Sequence, residues 1–138
     1  ALILDNSVTV HRPGQSGKPA YQAVIRVVSQ SREEQDLESL WKSGEGAALK
    51  DESANLLAHS LELALRDAGE VAPTDPPLFK TVRYREGGAE KMERAQLVAR
   101  RCQRQVIRTL RGWLMSVPTD LAVNSQGETC EPALSGWK

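Results

Sequence analysis

Residues 89–117, AEKMERAQLVARRCQRQVIRTLRGWLMSV, are the stretch on which the reading of this chain turns. Projected at about 100° per residue, the stretch sorts into two sides. Ala95, Val98, Ala99, Cys102, Val106, Leu110, Trp113, Leu114 and Val117 gather on one. Arg94, Arg100, Arg101, Arg104, Arg108 and Arg111 fall on the other, within about a third of the circle. The pattern predicts a long helix from about Ala89 to about Ser116, stopped by Pro118, which cannot continue it. Two residues sit badly on that wheel. Leu97 and Met115 project from the basic side, where a solvated stripe has no use for them.

Around this stretch the charge is divided. The chain of 138 residues has 18 Lys plus Arg and 18 Asp plus Glu, so it is neutral overall. Residues 32–77 hold 4 basic and 11 acidic side chains, and residues 78–112 hold 10 basic and 3 acidic. Segments this opposed call for an electrostatic partner, inside the molecule or outside it. From Arg94 to Thr119 there is no acidic residue to quench the arginines from within. All six stripe residues are Arg, whose planar fork of donors suits phosphate and carboxylate oxygens.

Upstream, the chain reads as a hairpin followed by helices. Val8 and Val10 alternate with polar neighbours, residues 12–19 (RPGQSGKP) read as a turn, and residues 20–28 are rich in β-branched side chains. Tyr21, Ala23, Ile25 and Val27 would share one face of that second strand. Ser31 and Glu34 have capping-box spacing and open a first helix that stops near Gly44. A second helix is expected from about Asp51 to Ala68, ending at Gly69. Leu57, Leu61, Ala64, Leu65 and Ala68 form one face of it, and Leu56 and Leu63 lie on another side. Residues 78–85 read as a strand, and Gly87-Gly88 as a break after it.

The expected fold class is α+β, in the order β-β-α-α-β-α. A small, mostly antiparallel sheet, built from the hairpin and one later strand, would pack against two or three helices. Residues 1–117 would form one domain and residues 118–138 an extended or disordered arm. No family resemblance emerges. No run of residues approaches the ~20 apolar positions of a membrane-spanning helix, and no signal peptide is read at the start. A cytoplasmic setting, or a particle assembled there, is the expectation. Cys102 and Cys130 are expected as free thiols rather than as a disulfide.

Catalytic chemistry is hard to find. Gly14-Gln15-Ser16-Gly17-Lys18-Pro19 holds parts of a phosphate-binding loop, but two residues separate its glycines and Pro19 follows the lysine. His11 and His59 have no Cys or His at ligand spacing, so neither a metal nor another cofactor is expected. The first expectation is a non-enzymatic, homo-oligomeric nucleic-acid-associated protein of the assembly or packaging type, most simply a dimer. Its phosphate-binding surface would be Arg94, Arg100, Arg101, Arg104, Arg108 and Arg111, joined by Lys80, Arg83 and Arg85. The alternative is a protein–protein or structural subunit whose acidic and basic segments pair between chains. Trp137, an aromatic in a polar tail, is a candidate docking anchor for a partner subunit.

Overall fold

The computed structural model describes residues 1–14, 17–30, 34–70, 76–101 and 103–119. The elements in order are β1 Ile3–Val10, β2 Tyr21–Val28, α1 Glu34–Gly69, β3 Lys80–Glu86, β4 Ala89–Arg101, β5 Arg104–Thr109 and β6 Leu114–Pro118. The long C-terminal helix does not exist. Its sequence forms three antiparallel strands, β4, β5 and β6. The fold is therefore a six-stranded mixed sheet with one helix. It is not a small, mostly antiparallel sheet packed against two or three helices.

The strands lie in the order β1-β2-β6-β5-β4-β3. Among the described strands only β2 and β6 run parallel, with Ile25 beside Leu114 and Val27 beside Ser116. Each tight turn in the C-terminal half has a residue with positive φ. Gly87 (φ 64) turns β3 into β4, Gln103 (φ 59) turns β4 into β5, and Gly112 (φ 86) turns β5 into β6. Gly87-Gly88 thus makes a two-residue hairpin loop, which suits the twist of the flanking strands.

Burial explains why strands win over the helix. Neighbouring residues Val106 and Ile107 are both buried, as are Leu114, Met115, Ser116 and Val117. A strand throws successive side chains to opposite faces, so these runs fill two hydrophobic clusters at once. A helix would have left one of them in water. One cluster lies under α1: Ile25, Val27, Val106 and Leu114 from the sheet meet Leu56, Leu63 and Ala64. The other lies on the opposite face: Val28, Val82, Tyr84, Ala95, Ile107, Met115 and Val117, with Leu97 against them. Met115, a misfit on the helical wheel, is a core residue of this second cluster, and Leu97, the other misfit, packs half-buried against it.

Among the described residues no second helix covers that cluster; the sheet itself curls over it. Four strands at about 4.8 Å spacing would hold β3 and β6 roughly 14 Å apart if flat. Instead β3 contacts β6, and Val82 and Tyr84 pack with Met115 and Val117. Gln105 Nε2, from β5, donates to the Arg83 carbonyl at 3.0 Å. The sheet curls over its concave face, and a register shift between Leu97 and Ala99 marks a bulge in β4 that helps it bend.

The helix sits on the outer face against β1 and β2. It is broken inside: Ser43 is extended, and Gly44, Glu45 and Gly46 have φ of 59, 58 and 81. The interruption falls where the first helix is expected to stop, so α1 holds two helical stretches on either side of a kink. The capping residue Ser31 lies outside the described residues. So do residues 120–138, and with them the expected arm, Cys130 and Trp137; Cys102 also lies outside them. Among the described residues no helix is long and apolar enough to cross a membrane.

Candidate functional site

The arginines that the wheel gathered into one stripe are distributed over the sheet, and each meets a different fate. Arg104 is buried, 3% exposed, beneath α1. One of its Nη atoms donates to the carbonyls of Val28 at 2.9 Å and Ser116 at 3.2 Å, and to the Ser116 hydroxyl at 3.2 Å. Burial lowers its pKa to about 10, and the carboxylate of Glu52 partly offsets that loss. Arg108 reaches the helix and pairs with Asp67, which also accepts a hydrogen bond from the Tyr21 hydroxyl at 2.6 Å. These two arginines serve the fold, and the acidic segment does answer part of the basic one within the chain.

Arg111 is exposed in the turn between β5 and β6, its guanidinium 4.2 Å from the centre of the Trp113 ring. Arg26 also lies over that ring, at 5.2 Å, while forming a two-point pair with Asp5 at 2.7 and 2.8 Å. Charge on an aromatic face is attracted by the ring quadrupole. Sequence reading missed this group, because the wheel placed Trp113 on an apolar helix face. Arg100 is half-buried near the end of β4, and among the described residues no acceptor meets its buried Nε. Arg101 ends β4, and its side chain lies outside the described residues.

The remaining candidates converge on the β3–β4 hairpin. Register places Thr81 opposite Arg94, Arg83 opposite Met92, and Arg85 opposite Glu90. These six share one face of the hairpin. It is the outer face, the side that carries α1, since Gln96 two residues past Arg94 pairs with Arg108. No element among the described residues packs on it. Arg83, Met92 and Arg94 are exposed and Arg85 is half-buried. Diagonal neighbours on such a ladder are within reach of one ligand, as Arg83 and Arg94 are. Glu90 stands 3.7 Å from Arg83, an exposed and loose pair that leaves the guanidinium available. Lys80 starts β3 opposite Ala95 and so belongs to the other face. Three of the nine expected binding residues are thus brought together: Arg83, Arg85 and Arg94.

What this surface can do is bind anionic groups through several guanidinium forks at once. His59 Nε2 lies 2.8 Å from Ser116 Oγ, the spacing of a base and a nucleophile. Ser116 has 0% exposure, however, so no substrate reaches its hydroxyl. Among the described residues no three His, Cys, Asp or Glu side chains group to hold a metal ion. Compared with family models, curated proteins and solved structures, the chain matches none.

Proposed function

We propose that the protein is a non-enzymatic binding subunit that holds a nucleic acid by its phosphate backbone. The binding surface is the outer face of the β3–β4 hairpin. The observation that carries this reading is the alignment of Arg83, Arg85 and Arg94 on one uncovered strand face. The ligand runs along the hairpin rather than along a helix. No base-reading arrangement supports sequence preference, so phosphate contacts lead. Arg111 and Arg26 about Trp113 add a second, smaller basic and aromatic group. A cytoplasmic setting, or a particle assembled there, belongs to the same reading.

Counterion release makes the test quantitative. Three phosphate contacts on a single strand give a slope of log affinity against log salt of about −2. Fluorescence anisotropy with a labelled single-stranded oligonucleotide, from low to physiological salt, measures it. Replacing Arg94 by Gln should weaken binding uniformly across sequences and reduce the slope by about 0.7. An affinity independent of salt, or unchanged in a combined Arg83→Gln, Arg94→Gln variant, overturns the reading.

The alternative, a protein–protein subunit, is favoured by a different observation, the apolar outer side of α1.

A further inference from the structure

The C-terminal half of α1 is apolar on two sides, and the sheet uses only one of them. Leu56, His59, Ser60, Leu63 and Ala64 are buried against the strands. On a different arc, about 100° wide, lie Ala54, Leu57, Ala58, Leu61, Leu65 and Ala68. All six are exposed, and Leu57, Leu61 and Leu65 are 44%, 44% and 65% accessible. The side of a surface helix facing away from its core is ordinarily polar. Here the richer leucine stripe points outward, while the buried side includes a histidine and a serine. No residue of the described chain lies over it.

The spacing along this stripe suits a second copy of itself. Apart from Ala58, whose mirror position Ala64 is buried, the stripe residues Ala54, Leu57, Leu61, Leu65 and Ala68 are separated by steps of 3, 4, 4 and 3 residues. The series reads the same from either end. An identical helix laid antiparallel across it, with Leu61 on the symmetry axis, sets Ala54 against Ala68 and Leu57 against Leu65. The small residues fall at both ends and the large ones in the middle, twice over. A patch that complements itself in this way is what a two-fold interface requires. The neighbouring charges do not oppose it, since Glu62 and Arg66 beside the stripe already pair with each other at 3.0 Å.

We propose that two copies of the chain associate through this face, helix against helix, antiparallel, about a two-fold axis at Leu61. The inference is independent of the arginine surface, which lies on another element. The stripe from Ala54 to Ala68 is about 21 Å long. One helix pair of that length buries less than a standard interface, so the dimer is a moderate one that dilution separates.

Light scattering on the full chain under reducing conditions tests the pairing. The expected result is a dimer mass at about 200 μM, shifting toward monomer at tenfold dilution. Leu61→Glu should be monomeric throughout with an unchanged circular dichroism spectrum, since Leu61 is outside both cores. Cysteine cross-linking, on a background with Cys102 and Cys130 replaced by Ser, tests the direction. Leu61→Cys should cross-link to itself, because residues on the axis approach within disulfide range. Ala54→Cys should not, but should cross-link when mixed with Ala68→Cys. A wild-type monomer at every concentration, or a dimer indifferent to Leu61→Glu, overturns the pairing. Efficient self-cross-linking of Ala54→Cys overturns the antiparallel arrangement.

Discussion

His59 on α1 and Ser116 on β6 share a hydrogen bond of 2.8 Å between Nε2 and Oγ, with both side chains sealed between helix and sheet. The same hydroxyl accepts from Arg104, so one serine satisfies a helix residue and a buried guanidinium together. Ser116→Ala should therefore destabilise the protein by about 1–3 kcal/mol, because it leaves buried polar groups short of a partner. Urea denaturation measures the cost. A change below the error of the measurement would show that this contact contributes nothing.

Asp67 collects two partners, Tyr21 and Arg108, and pins the end of α1 to the sheet. The Tyr21 phenol is pushed well above its ordinary value of 10.0, first by burial and then by its hydrogen bond to Asp67. A group whose pKa is raised by folding adds stability below its unfolded value and loses it as pH rises toward the folded one. Stability should thus decline as pH climbs past about 10, and Tyr21→Phe should flatten that decline. Thermal melts across the alkaline range check both. Asp67→Asn should bring the phenol back toward ordinary titration, read from phenolate absorbance.

Asp5 shows the opposite sign. Its hydrogen bond from Arg26 holds its carboxyl below the usual 3.8, against a smaller opposing effect of burial. Stability from this pair is present above the ordinary value and disappears as pH falls through the lowered one. The side chains are 27% and 43% exposed, so solvent screens the pair and Asp5→Asn should cost no more than about 1 kcal/mol. That cost should be measurable at neutral pH and should shrink as pH falls through the lowered value and Asp5 takes up its proton.

Ile107 and Leu61 make a matched comparison of what is core and what is interface. Ile107 is fully buried in the concave cluster, and Ile107→Ala should cost about 2–5 kcal/mol. Leu61→Ala should cost the isolated chain less than about 1 kcal/mol, as a substitution away from both cores. Denaturation at low protein concentration, where chains are separate, compares the two. Equal costs would mean that the outward stripe is packed within the single chain.

The local patterns of the N-terminal half were legible without tertiary information. Alternation over Tyr21–Val28 announced both the strand and its inward face, and Ile25 and Val27 are buried there. Strand β3 and the tight turn at Gly87-Gly88 were also readable, from β-branched residues and from glycine's tolerance of positive φ. The break at Gly44 was readable for the same reason.

Residues 89–117 were not, and the reason is physical. Periodicity in sequence reports a fold only when one side of an element is buried. Strands β5 and β6 are buried on both sides, so their apolar residues carry no alternation and can be fitted to a helix as readily. Strand preference itself depends on cross-strand neighbours that lie far away in the chain. The arginine surface suffered the same loss, because register, not spacing, joins Arg94 to Arg83. Sequence alone determined the charge division, the hairpin and the apolar character of two sides of α1. The curled sheet decided which of those sides it would cover, which arginines it would bury, and which three it would leave together on an open face.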